Sequence, residues 1–236
     1  MPTVPTPSAQ TLTTKELGWA TLILCVALLS FDASGLDMPL AHVFGDSAGF
    51  PLRNDWWLDG VMHKGGRALA WTFGLWLCLG VWWPTGVLRQ LGAAARMQLA
   101  VTTLLALVAV SALKSFSTTS CPWDMAAFGR SARHVSHWLW ASAGDGGSGR
   151  CFPAGHASSG FAFIGGYFAF RRGAPGVARA WLWASVGAGL AFGLAQQARG
   201  AHFMSHTFWT GAICWCVALL VDAVSRLRRG APLALR

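Results

Sequence analysis

Apolar residues gather along the chain into six runs, over 17–31, 68–83, 97–113, 157–170, 180–195 and 207–224. A helix needs about 20 largely apolar residues to cross the hydrocarbon core of a bilayer. Several runs are shorter than that, and flanking Trp and Arg residues that reach the interface extend them. The pattern predicts an all-α fold: a polytopic membrane bundle of six transmembrane helices, in one membrane domain over 1–236. It leaves three outward loops, 32–67, 114–156 and 196–206, and shows no internal repeat. The first run is expected to stay as an anchor and not to be cleaved as a signal. Glu16 neutralises Lys15 ahead of it, and the cleavage-like Ala33-Ser34-Gly35 follows the charged Asp32.

Composition agrees with a bilayer environment. Of 236 residues, 54% are hydrophobic and 11% charged, less than half the roughly 25% of a soluble domain. Mean hydropathy is +0.45. These values argue against a water-soluble globule, a disordered chain and a coiled coil. A net charge of +9 raises the question of nucleic acid, but in a membrane protein excess Lys and Arg marks cytoplasmic loops, so no nucleic-acid partner is expected. With the N-terminus in the cytoplasm, ten basic residues against Glu16 and Asp222 fall inside, and eight basic against seven acidic fall outside. Both termini are then cytoplasmic, Arg236 included, and the turn carrying Arg171, Arg172 and Arg179 is the clearest inside signal. Trp56, Trp57, Trp82, Trp83, Trp123, Trp138 and Trp140 fall near run boundaries or in the outward loop, where amphipathic rings concentrate. The run Gly144-Asp145-Gly146-Gly147-Ser148-Gly149 lacks the Lys-Ser/Thr ending of a nucleotide loop and is expected to be a flexible linker.

Polar residues at helix ends on one membrane face mark a candidate site. Lys114 closes the third run and His156 opens the fourth. Arg199, His202 and His206 occupy the last outward turn. Their spacing is Lys114-x6-Cys121-Pro122, then Pro153-Ala154-Gly155-His156, then Gln196-x5-His202-x3-His206. This arrangement resembles the type-2 phosphatidic acid phosphatase superfamily, with its Lys-x6-Arg-Pro, Pro-Ser-Gly-His and Ser-Arg-x5-His-x3-Asp motifs. The resemblance covers the membrane bundle, and the chain looks like a divergent branch. Cys121 stands for the first-motif Arg, Ala154 for the Ser, Gln196 for the third-motif Arg and His206 for the Asp. Arg199, about one helical turn after Gln196, would deliver a guanidinium to the same place.

The resemblance implies hydrolysis of a lipid phosphate or pyrophosphate through a phosphohistidine, with no cofactor and no metal. His202 would be the nucleophile, attacking as a neutral imidazole. His156 would protonate the leaving alkoxide and later activate water. Lys114 and Arg199 would hold phosphate oxygens, helped by backbone N–H groups near Gly155. His206, at i+4, is expected to orient His202, with Asp124 as a substitute. Arg130, Arg133 and Arg150 are reserve ligands for the missing first-motif Arg. His42, His63, His134 and His137 are expected to be ordinary loop residues. The implied setting is the bacterial cytoplasmic (inner) membrane, with the site facing the periplasm and a membrane lipid phosphate as partner; the oligomeric state stays open.

Cys121 and Cys151 both fall on the outward side beside site motifs and form a disulfide candidate, the alternative being two free thiols. Closing that loop would contribute roughly 3–4 kcal/mol in the chain-entropy model. Other readings stay open at this stage. They are a lipid phosphotransferase using the same intermediate, an inactive lipid-binding or transport relative, and a metal site built from His202, His206 and His156.

Overall fold

The computed structural model describes residues 13–139 and 144–230. Trp140, Arg236 and both termini lie outside them. Among the described residues the fold is helical, with isolated β-bridges and no strand.

Local sequence explains where the helices begin and end. Helix α1 (Thr14–Ala33) opens on a capping box: the Thr13 hydroxyl accepts from Glu16 N–H, and the Glu16 carboxylate accepts from Thr13 N–H. The short α2 (Asp37–His42) follows. A π-helical segment, Trp56–Gly65, is capped by Asp55, whose side chain accepts from Leu58 N–H, and runs directly into α3 (Gly66–Leu79). Helix α4 (Ala93–Phe116) carries Lys114 in its last turn. Helices α5 (Ser158–Phe161) and α6 (Gly165–Phe170) are separated by one 3-10 turn, Ala162–Ile164. Helix α7 (Pro175–Ala198) starts on a proline, which has no N–H to leave unsatisfied, and α8 (Met204–Gly230) completes the order.

Four of these helices are long and apolar enough to cross a membrane: α1, α4, α7 and the Met204–Arg228 part of α8. They make the chain an α-helical membrane protein. The other two expected runs are helical but shorter. Helix α3 has 14 residues, ~21 Å at about 1.5 Å per residue, and the π-helical segment before it carries Asp59, His63 and Lys64. The 158–170 run is interrupted by its 3-10 turn.

That interrupted run is the centre of the bundle. Residues 160–168 are all buried, as expected of a segment apolar on every side. Small residues let its neighbours close in. A Cβ on Gly160 would overlap the backbone of Gly189 in α7, and one on Gly165 would meet Thr102 of α4 at 2.7 Å. The Trp181 indole of α7 donates to the Phe163 carbonyl at 2.8 Å. The outer surface has the opposite character: Trp19, Ile23, Trp71, Val108, Trp183 and Leu227 are each more than half exposed, a surface suited to lipid.

The two ends of the bundle differ. At one end the loops between α1 and α3, between α4 and α5, and between α7 and α8 converge over a small second core of Ala41, Phe50, Met125, Phe128, Ala132 and Phe203. The glycine run expected to be a flexible linker is pinned there. The buried Asp145 carboxylate accepts from Ser120 N–H at 2.5 Å, Ser120 Oγ at 2.7 Å and Gly147 N–H at 3.0 Å. At the other end Asp222 of α8 binds Arg171 at 2.7 Å and Arg226 at 3.1 Å, and accepts from Gln98 of α4 at 3.3 Å.

Candidate active site

Three separate backbone devices bring the site together. The first ends α7. Ala201 N–H bonds to the Gln196 carbonyl and Gly200 N–H to the Gln197 carbonyl, both at 2.8 Å, which is the Schellman pattern. It requires a residue with positive φ, and Gly200 has φ +76°. The turn packs beneath Phe50 and places His202 in the short non-helical link before α8. The second device is a disulfide between Cys121 and Cys151, with Cα atoms 5.2 Å apart, which ties the stretch after Lys114 to the stretch before His156. The third joins the His156 turn to α8: Ala154 N–H donates to the His206 carbonyl at 3.2 Å, and the Thr210 hydroxyl donates to the Ala154 carbonyl at 3.0 Å.

Lys114, Gly155, His156, Gln196, Arg199 and His202 all line one cavity of about 1000 Å³. Gly155 lies against the Lys114 side chain, where an added Cβ would stand 3.3 Å from Cδ and 3.7 Å from Nζ. Among the described residues no carboxylate lies within ion-pair distance of Lys114. Away from this polar end the cavity runs between α3 and α4, past Ala70, Trp71, Leu75, Leu104, Leu107 and Val108. The result is a cationic and imidazole-lined head with an apolar tail channel.

Burial controls the histidines. His202 is driven well below the usual imidazole pKa, first by desolvation and then by the Lys114 and His206 charges. His156 is pushed down to about 4, first by desolvation and then by neighbouring His63. Burial thus favours the neutral imidazole in both, which for His202 is the form a nitrogen nucleophile requires. The Cys151 sulfur lies 3.5 Å from His202 Nδ1 and 2.9 Å from the Ala201 carbonyl oxygen, leaving Nε2 as the nitrogen away from the disulfide.

Arg199 is held on three sides. Its Nη2 bonds Asp59 at 2.6 Å, its Nε donates to the Arg53 carbonyl at 2.9 Å and its Nη1 donates to Gln196 Oε1 at 3.2 Å. The buried Gln196 Nε2 has no partner among the described residues, a donor free for a ligand oxygen.

Other expected residues stand elsewhere. His206 is buried, its ring 5.8 Å from that of His202 at a steep angle, and its Nδ1 has no partner among the described residues. It makes no hydrogen bond to His202, because His202 precedes the helix and the i, i+4 relation does not apply. Asp124 accepts from Ser148 at 3.0 Å and fastens the loop. Arg150 is exposed, and its backbone N–H donates to the Ser117 carbonyl. Arg130 lines a neighbouring basin, outside the histidine cavity. Cys151, His202 and His206 place ligand atoms within 4.8 Å of one another, but the Cys151 sulfur is spent in the disulfide, so two imidazoles remain of that donor set.

His63, expected to be an ordinary loop residue, belongs here, together with Asp59, to which the sequence pattern assigned no role. The His63 ring lies tilted against that of His156, with centroids 4.3 Å apart, and Asp59 bridges His63 at 3.3 Å, Lys64 at 2.7 Å and Arg199. Lys64 first, then Arg199, holds the Asp59 carboxyl below its ordinary pKa. The usable signal was Asp59 and His63 at i, i+4 just ahead of an apolar run. His156 Nε2 also lies 3.4 Å from the Met62 carbonyl, so the π-helical segment, a geometry often found at functional sites, lies directly over the site.

No curated protein and no solved structure shows a significant match to the chain. The family model of the PAP2 superfamily matches residues 95–229, more than half the length and spanning Lys114, His156 and His202. The chain belongs to the PAP2 superfamily.

Proposed function

We propose that this protein is a membrane phosphatase that hydrolyses a lipid phosphate or pyrophosphate through a phosphohistidine on His202. PAP2 chemistry is phosphatase or phosphotransferase chemistry on lipid phosphates, and the family supports a phosphoric ester hydrolase. The observation that carries the finer reading is the single cavity in which Lys114, His156 and His202 meet at the polar head of an apolar channel. That shape suits an amphiphile with a phosphate at one end.

In the first step the Nε2 lone pair of His202 attacks phosphorus. The bond from phosphorus to the lipid oxygen breaks, and His156 gives that oxygen a proton. In the second step water attacks the phosphohistidine and passes a proton to His156. The P–N bond breaks, releasing phosphate and neutral His202. Lys114, Arg199 and the Gln196 amide stabilise the charge on the phosphoryl oxygens. His156 enters the first step protonated, and the arriving phosphate dianion supports that proton. The reaction proceeds without metal, in one membrane domain of six spans. The three helices of ordinary crossing length that carry or flank the site, together with the surplus of Arg at the opposite end, support a periplasmic site with cytoplasmic termini in a bacterial inner membrane.

The test is phosphate release from a panel of short-chain lipid phosphates by purified protein in detergent, with and without EDTA, read by mass spectrometry. EDTA-resistant release and an acid-labile phosphoryl adduct on His202 are expected. Unchanged turnover in His202→Ala would overturn the reading.

A further inference from the structure

The first step of the reaction asks His156 for a proton that its surroundings withhold. Burial, with the neighbouring His63 charge second, pushes His156 down to about 4, so the ring favours its neutral form. Its Nε2 lies 3.4 Å from the Met62 carbonyl. A carbonyl only accepts, so Nε2 carries the hydrogen of the neutral ring. Among the described residues no carboxylate lies within ion-pair distance of His156. The Phe192 ring stands edge-on to it, 5.8 Å away.

His63 supplies what His156 lacks. It lines the same cavity, with its ring centroid 4.3 Å from that of His156. The Asp59 carboxylate stands 3.3 Å from His63 Nδ1, a placement that favours the imidazolium and leaves Nε2 for proton exchange. The His63 side chain is 34% exposed, so it reloads from solvent. Burial lowers its pKa and Arg199 adds to that shift, while Asp59 opposes it. The other charged groups around the two rings are Lys64 beside Asp59, Arg67 in the first turn of α3, Lys114 against Gly155, and Arg199 just after α7. His202 completes the set. These cations all oppose a second proton. Two imidazoles this close do not both take a charge, so they titrate as one unit.

We propose that His63 and His156 work as an imidazole pair that carries one proton into the reaction, stored on His63 against Asp59 and delivered by His156 to the leaving oxygen. The proposal rests on the phosphatase reading for the reaction that consumes the proton. In the first step the proton leaves His63 and reaches the lipid oxygen through His156, and both rings end neutral. In the second step the attacking water gives its proton to His156, which passes it to His63, and the pair is back in its starting state. His63 thus acts through His156 as a positioning residue for the proton, and the π-helical segment that carries it becomes part of the acid–base machinery.

Two substrates test it with the full chain in detergent: a short-chain dialkylglycerol phosphate, whose alkoxide needs a proton to leave, and an alkyl-nitrophenyl phosphate, whose phenolate leaves without one. His63→Ala should lower kcat on the alkyl ester by about a hundredfold, the scale of general acid catalysis, and on the aryl ester by less than about threefold. Free imidazole added to His63→Ala should recover about tenfold of the lost rate on the alkyl ester, which a purely structural defect would not allow. In a His156→Ala background the His63→Ala change should cost less than about twofold more, because a store without its outlet adds nothing. Equal losses on the two esters, no recovery with imidazole, or losses that multiply in the double variant would each overturn the pair. In those cases release by the wild-type protein, with a phosphoryl adduct on His202, leaves the phosphatase reading standing. No release from either ester by the wild-type protein overturns both.

Discussion

The two ends of the bundle use the same residue types to opposite effect. At the Asp222 end one carboxylate sits among two arginines and a glutamine amide, with Arg171 and Asp222 almost fully buried. The buried carboxylate is compensated by close guanidinium groups, and the cluster staples α4, α8 and the residue that follows α6. At the Lys114 end, Lys114 faces a cavity with no carboxylate within ion-pair distance among the described residues, two histidines are neutralised by burial, and a buried amide donor lacks a partner. Burying charge is costly unless it is compensated. The carboxylate-centred end stabilises the bundle, whereas the Lys114 end leaves cationic and donor groups facing a cavity.

The contrast can be broken most sharply at His202, the proposed nucleophile. His202→Ala should lower phosphate release by about a thousandfold or more while the thermal unfolding midpoint changes little. The reverse pattern is expected at the other end. Asp222→Asn leaves buried guanidinium charge uncompensated and should cost roughly 3–5 kcal/mol of stability, measured by unfolding in detergent, with turnover per folded molecule within about twofold. Loss of catalysis without loss of stability in Asp222→Asn would erase the distinction. Lys114→Met should reduce kcat/KM by about a hundredfold, the range for removing one preorganised charge from a transition state. A smaller effect is expected at Asp59, whose carboxylate occupies the Arg199 fork that phosphate oxygens need. Asp59→Asn should lower KM by a few-fold, and a raised KM would instead make Asp59 a positioner of Arg199.

The smallest expected effect is on stability against pH. The folded protein holds His156 near pKa 4 and His202 low as well, against about 6.5 in an unfolded chain. Between those values the unfolded chain binds protons that the folded one refuses, so stability falls as pH drops from about 6.5 toward 4. The unfolding midpoint should drop by a few degrees between pH 7 and pH 4.5, and His156→Gln should flatten part of that slope.

That Lys114, His156 and His202 share one cavity was legible because they stand at the ends of apolar runs, where spacing and topology act together. Features made by long-range contact were not legible. Asp59 reaches Arg199 across 140 positions, through a π-helical segment that no apolar period announces. The glycine run suggested flexibility because composition does not show that Asp145 will collect the Ser120 and Gly147 amides. The expectation for His206 rested on its i+4 spacing and that for Asp124 on its place in the neighbouring outward loop; in the structure the His206 ring stands 5.8 Å from that of His202 at a steep angle and Asp124 accepts from Ser148. The 158–170 run reads as a span by hydropathy, yet its apolar residues cover a bundle interior on every side.

The Cys121–Cys151 bond lies wholly between α4 and α5, upstream of the segment that carries His202. Chains fold from the N-terminal side as they are synthesised, and both sulfurs leave the ribosome before α7 and α8 do. The bond is therefore able to close around an unfinished protein, so that the lysine and His156 turns are already tethered when the last helix pair arrives. The order of biogenesis makes His202 the last of the cavity's polar residues to be delivered, after the Lys114 and His156 turns have been joined.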